Sequence, residues 1–243
     1  MKRLVLISMM LLSAYYGALA CENNDCEELF KKATDKVRSL RLVGTGRGFN
    51  SVYQVTVTGE DGSINREKVE FGALRDKYFY KTSQLDFYQD QKTLVMIHHD
   101  EKIIYLTGGK GRKREEDQHS AMIKLLDSLQ KYLVFQGCSR EFGTVHPGKG
   151  YTHVTFSPGA KLKSSGLKSI GYWLDADELA VRKIMVNYTP GSGYGVQKYE
   201  MVVDEMNISP SRDPYAGAAV DKVFRNNKVR QEYKSYRIID KRS

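Results

Sequence analysis

At 243 residues, 41% hydrophobic and 28% charged, the chain has the length of one domain or at most two small ones and a globular composition. Five prolines, 21 glycines and no low-complexity tract exclude a linker or collagen-like chain, and the apolar runs are too short for a polytopic membrane protein. Thirty-eight Lys and Arg against 29 Asp and Glu give a formal charge of +9.

Lys2 and Arg3 precede an apolar stretch from Leu4 to Leu19 that ends in Ala18-Leu19-Ala20 before Cys21. A short positive segment, an apolar core and small residues at the cut are the parts of a secretory signal peptide. Residues 1–20 are therefore expected to be removed on export. A membrane anchor is disfavoured because the run is short and contains Ser8, Ser13 and Gly17. Without Lys2 and Arg3, 36 basic residues face 29 acidic ones, a charge of +7 over residues 21–243.

Two fates stay open for Cys21. A small residue before Cys resembles a bacterial lipobox, with Ala18 where Leu is usual, and implies lipidation at Cys21 and an outer-membrane anchor. The same residues form an ordinary A-x-A cleavage site, which implies a soluble periplasmic protein. If Cys21 is lipidated, Cys26 and Cys138 remain as a pair able to close a long loop in an oxidising compartment.

Asp25-Cys26-Glu27-Glu28 has the form of a capping box. Leu29, Ala33, Val37 and Leu40 then recur at helical spacing, with Phe30 broadening the stripe, so a helix is expected over about 26–40. Gly44, Gly46 and Gly48 follow a helix and lead into strand-like sequence, the reverse of a dinucleotide fingerprint. From Phe49 to Thr107 the pattern is strands and tight turns: Tyr53, Val55 and Val57 alternate with polar residues, and Glu60-Asp61-Gly62-Ser63 is a hairpin turn. Further strands are expected at 66–71, 77–81, 84–88, 93–98 and 102–107. Their close spacing leaves no room for crossover helices and predicts an antiparallel meander.

The basic Gly108-to-Arg114 loop lacks Walker spacing. A second helix is expected over about 115–133, with Met122, Leu125, Leu126, Leu129, Tyr132 and Leu133 as its apolar face. Strands resume at 151–157, 169–175, 179–188 and 196–208, with a tight hairpin at Asp175-Ala176-Asp177-Glu178. A short helical piece over 216–224 and a last strand over 232–239 complete the chain. The expected fold is a single α+β domain over residues 21–243 with a basic C-terminal extension from about 211. Its strands are expected to form one large curved antiparallel sheet. Several strands are apolar on both faces, including Tyr78-Phe79-Tyr80, Leu94-Val95-Met96-Ile97 and Tyr172-Trp173-Leu174. A sheet with one solvated face would alternate. Two packed sheets and a lipid-sized cavity are the alternative explanations.

The element order, the export signal and these double-sided strands resemble the periplasmic lipoprotein carriers of the Lol system, the LolA/LolB-like family. The resemblance rests on Leu29-Phe30-Lys31-Lys32-Ala33, Asp76-Lys77-Tyr78-Phe79-Tyr80-Lys81, Lys102-Ile103-Ile104-Tyr105-Leu106, Tyr172-Trp173-Leu174-Asp175 and Ile184-Met185-Val186-Asn187-Tyr188. It covers most of residues 26–210. It implies that the curved sheet forms a half-open β-barrel covered by amphipathic helices, with an apolar cavity that holds lipid acyl chains under lid helices. The chain departs from the family at Gln89-Asp90-Gln91-Lys92 and His99-Asp100-Glu101, where the carriers have an Asp-Gly hairpin, and in its basic C-terminal extension.

No enzyme is expected. His98-His99 lie beside Asp100 and Glu101, but neighbours on a strand point to opposite faces. No HExxH or Gly-x-Ser-x-Gly occurs, Glu115-Glu116-Asp117 fits helix capping, and no metal or cofactor is implied. Dispersed basic residues and the export signal argue against nucleic acid. The expectation is an exported envelope protein that binds lipid or lipoprotein acyl chains, with a membrane surface or envelope proteins as further partners. Its cavity lining would comprise Tyr78, Tyr80, Met96, Met122, Leu125, Leu126, Leu129, Trp173 and Val186. The alternative is an envelope scaffold using the same fold with a filled core.

Overall fold

The structure is a computed structural model that describes residues 23–39, 48–74, 77–108, 131–208 and 213–242. In chain order the elements are helix α1 (Asn23–Ser39) and strands β1 (Phe49–Gly59), β2 (Ile64–Leu74), β3 (Lys77–Lys81), β4 (Leu85–Gln89), β5 (Thr93–His98) and β6 (Ile103–Gly108). There follow β7 (Leu133–Phe142), β8 (Gly150–Pro158), β9 (Leu167–Asp175), β10 (Ala180–Tyr188) and β11 (Val196–Ile208). The chain ends with β12 (Phe224–Arg225), β13 (Lys228–Val229) and β14 (Arg237–Lys241). Short 3-10 turns lie at Ala160–Ser165, Ala219–Lys222 and Gln231–Tyr233.

The chain divides into two compact units. The first contains residues 23–37, 59–61 and 131–200. Its strands lie in the order β11-β10-β9-β8-β7, and β7 to β10 pair antiparallel. Period-two alternation sends Val154 and Phe156 of β8, and Ile170, Tyr172 and Leu174 of β9, to one face. Helix α1 covers that face with Cys26, Leu29, Phe30 and Ala33, one stripe at helical spacing. The Phe30 ring lies 4.8 Å from both Phe156 and Tyr172. Burying such a ring stabilises the fold by about 2–3 kcal/mol. A disulfide between Cys26 and Cys138 fastens α1 to β7.

The second unit contains residues 38–39, 48–58, 62–74, 77–108, 201–208 and 213–242. Its order is β14-β6-β5-β4-β3-β2-β1-β11. Tight hairpins make β1 to β6 a meander, while β14 returns parallel to β6. One face carries Tyr88, Val95, Ile97, Ile104 and Leu106, packed under Tyr215, Ala219 and Val223 of the C-terminal segment. Asp90 fastens this cover, because its carboxylate accepts the N–H groups of Lys92 and Thr93 in the β4–β5 turn and that of Ala219 at 2.6 Å. The Tyr215 hydroxyl donates to the Gln89 carbonyl.

The molecule is thus largely β, a mixed sheet architecture with few helices, and neither unit's strand order closes into a barrel among the described residues. The purely antiparallel expectation is corrected by β14, which reaches β6 only after the long C-terminal segment has crossed the sheet; a crossover of that length permits parallel pairing. Helix α1 begins at Asn23, so Asp25 sits in its first turn instead of capping it. The helix expected over 115–133 falls outside the described residues up to 130, and Leu133 already belongs to β7. The pieces expected at 216–224 and 232–239 are 3-10 turns followed by the shorter β14.

Candidate functional site

In the second unit, the sheet face turned away from the Tyr215–Val223 cover is itself apolar. Cross-strand register places Phe71, Tyr80, Phe87, Met96, Tyr105 and Ile239 directly opposite one another, in one row over β2, β3, β4, β5, β6 and β14. Tyr78 and Leu94 belong to the neighbouring row, and the Tyr78 and Phe87 rings stack at 5.0 Å. These side chains are half-buried, whereas their strand neighbours Tyr88, Val95, Ile97, Ile104 and Leu106 are fully buried on the other face. Burial, reinforced by the Glu67 carboxylate, pushes the Tyr80 phenol above its ordinary value. His98 lies at the margin of the row, edge-on to Tyr105 at 5.7 Å.

The row can do one thing chemically. It offers aromatic and thioether surface with a few hydroxyls and no nucleophile or acid–base pair. Five inter-strand gaps of about 4.8 Å make it about 24 Å long. Half of a bilayer's hydrocarbon core is about 15 Å.

Of the residues expected to line a cavity, Tyr78, Tyr80 and Met96 share this face. Trp173 and Val186 belong to the first unit and lie on opposite faces of its sheet. Val186 pairs with Ile170 on the side of α1, whereas Trp173 pairs with His153 and Lys183 on the other. Met122, Leu125, Leu126, Leu129 and Cys21 lie outside the described residues. Sequence reasoning missed Phe71, Phe87, Tyr105 and Ile239. The signal was present in the period of two, but which partner stands opposite Tyr80 depends on hairpin register.

Around Trp173 the first unit holds a polar cluster. The imidazole of His153 stacks flat on the indole at 4.0 Å, and the Lys183 ammonium lies 4.8 Å from the ring centre. Glu141 receives the Trp173 Nε1–H at 2.7 Å and holds His153 Nδ1 at 2.7 Å; Lys183 also pairs with Glu200 at 3.1 Å. Gly171 admits this stack, since a Cβ there would sit 2.7 Å from His153 Nε2 and 3.1 Å from the indole. The cluster is internally satisfied. His99 pairs with Asp86 at 3.3 Å and with the Tyr236 hydroxyl at 3.2 Å. Among the described residues no group of three or more His, Cys, Asp or Glu side chains could hold a metal ion, and no helix is long and apolar enough to cross a membrane.

No family model matches the chain, and no curated protein matches it. Among solved structures it is similar to an uncharacterized conserved protein from Thermus thermophilus, at 7% identity and TM-score 0.42 over 87% of this chain and 98% of that one. It is also similar to a putative outer membrane lipoprotein-sorting protein domain from Vibrio parahaemolyticus, at 10% identity and TM-score 0.30 over 78% of this chain and 95% of that one. A LolA superfamily protein from Nitrosomonas europaea is a further neighbour, at 10% identity and TM-score 0.30 over 83% of this chain and 98% of that one.

Proposed function

We propose that this is an exported, non-enzymatic envelope protein that binds a hydrophobic ligand, a lipid or lipoprotein acyl chain, in a carrier or chaperone-like role. The observation that carries this reading is the second apolar face of the β2–β6 meander. The opposite face already supplies the unit's core, so the row through Tyr80, Phe87, Met96 and Tyr105 is surplus to it. A single acyl chain is shorter than the row and can lie along it, across the strands. Its affinity comes from apolar area removed from water, about 25 cal/mol per Å2 before ordering costs. The Cys26–Cys138 disulfide supports an oxidising compartment, where such bonds persist.

Native mass spectrometry of the purified protein, with titration of a fluorescent fatty acid, tests the reading. The protein is expected to carry or accept one acyl chain. Met96→Lys is expected to weaken fatty-acid binding at least tenfold, about 1.4 kcal/mol, with Met96→Ala as the milder variant should the charge prevent folding. Protein that is consistently ligand-free and does not bind the probe overturns the carrier reading and leaves the filled scaffold.

A further inference from the structure

The C-terminal segment that covers the other face of the second unit is strongly basic, with eight Lys and Arg against four Asp and Glu over residues 213–242. Much of that charge converges on one place. The β12–β13 hairpin turns through Asn226 and Asn227, both in the left-handed region at φ 51° and 61°, which is the geometry of a two-residue hairpin turn. This tight turn sets Arg225 directly opposite Lys228. Like charges in that position repel, and neither side chain has a carboxylate partner among the described residues. Arg225, Lys228 and Arg230 line a solvent-open recess of about 410 Å3 together with Asn226, Gln231 and Glu232. The recess has a single acidic lining residue among the described residues, Glu232, 3.7 Å from Arg230.

Arg230 is held in place, because its Nε–H donates to the Asp221 carbonyl at 2.9 Å and its backbone N–H to the Val223 carbonyl at 2.9 Å. It therefore also faces the 3-10 turn that carries Lys222. The Lys222 ammonium is half-buried against two rings set edge to face, 5.6 Å from the centre of Tyr88 and 5.1 Å from that of Tyr215. Lys81 and Lys77 approach the same two rings at 5.7 and 5.3 Å. Asp221, the neighbouring acid, turns its carboxylate to the Ala218 N–H at 2.8 Å. Lys222 has no carboxylate within ion-pair distance among the described residues. Burial, then repulsion from Arg230, Lys81 and Lys77, lowers its affinity for a proton.

We infer that the recess of Arg225, Lys228 and Arg230 is a binding site for a phosphate-bearing anion. A phosphate oxygen set between Arg225 and Lys228 converts their repulsion into two charge-assisted hydrogen bonds, and the guanidinium of Arg230, pinned through Nε, adds a third cation to the same recess. Asn226 and Gln231 supply neutral donors at the rim. The site is separate from the acyl-chain face and does not depend on the reading given to that face. The phosphate group is shared by two sources, a soluble phosphate ester and a phospholipid headgroup.

The test uses the purified full chain with two probes and two charge-matched double variants. Glycerol 3-phosphate is titrated by calorimetry, and vesicles of equal parts phosphatidylglycerol and phosphatidylcholine are compared with phosphatidylcholine alone by co-sedimentation. Arg225→Ala with Lys228→Ala removes two exposed cations of the recess, whereas Lys234→Ala with Lys241→Ala removes two exposed cations elsewhere on the same segment. The expected result is binding of at least one probe, weakened tenfold or more in the first variant and less than threefold in the second. Glycerol 3-phosphate binding identifies a soluble ester; binding only to the anionic vesicles identifies the headgroup. Binding of neither probe overturns the inference. So does equal loss in both variants, since that outcome reflects net charge alone.

Discussion

Tyr172 shows how a single residue ties the first unit's stability to pH. It is 7% exposed between Phe30 and Phe156, and burial pushes its phenol up to about 12 from the ordinary 10. The folded state therefore holds the proton more tightly than the unfolded chain. The stabilisation is complete below pH 10 and is lost as pH rises through about 12. Two pH units correspond to about 3 kcal/mol. Urea unfolding of the native chain is expected to show stability falling across that window, and Tyr172→Phe to flatten part of the fall. Tyr233, pushed up to about 12 by burial with Asp86 and Glu232 nearby, adds slope from the second unit, as does the raised phenol of Tyr80. A slope unchanged in Tyr172→Phe removes this account.

At the scale of elements, α1 has one apolar stripe and no stability of its own; it is held by the sheet it covers and by one covalent bond. The Cys26–Cys138 disulfide joins positions 112 apart in sequence. In the chain-entropy model, closing a loop of that length stabilises the fold by about 4–5 kcal/mol. Replacing both cysteines by serine is expected to lower the urea midpoint accordingly, and a reductant to lower that of the native chain to the same value. A reductant that leaves the native midpoint unchanged counts against a structural role. The element also explains an oddity of β7. This strand, at the sheet edge among the described residues, carries exposed Val134 and Phe142, but its bulge between Phe135 and Gly137 interrupts a flat edge on which another chain could pair.

At the scale of the molecule, each unit owns a separate core, and the second carries both the proposed acyl-chain face and the proposed anion recess. Acyl-chain binding to the Tyr80–Tyr105 row is expected to raise stability by RT ln(1 + [L]/Kd), about 2.7 kcal/mol at a hundredfold excess over Kd. Because the basic recess belongs to the segment over the other face, the Arg225→Ala, Lys228→Ala variant is expected to keep that stabilisation in full. Denaturation with and without fatty acid measures it. Loss of the stabilisation in this variant would show that the two sites are coupled.

Much of this was legible in the chain. The stripe Leu29, Phe30 and Ala33 announces α1, Glu60-Asp61-Gly62-Ser63 announces the β1–β2 hairpin, and Asp175 to Glu178 announces the β9–β10 hairpin, because local periodicity and turn chemistry decide these elements. The strand β7 was not legible: the apolar helical spacing that ends at Tyr132 and Leu133 runs straight into it, and Gly137, at φ 143°, breaks its alternation. Nor could the sequence place β14 beside β6, since nothing local marks a parallel partner far upstream. By itself, then, the sequence determined a β-rich chain with an amphipathic N-terminal helix and strands apolar on both faces. Only the tertiary structure decided that Tyr80, Phe87, Met96 and Tyr105 share a row, that Trp173 and Val186 part to opposite faces, and that Arg225 confronts Lys228. The reason is that a side chain's face follows from local alternation, whereas its neighbours across the sheet follow from register, which the packed strands settle together.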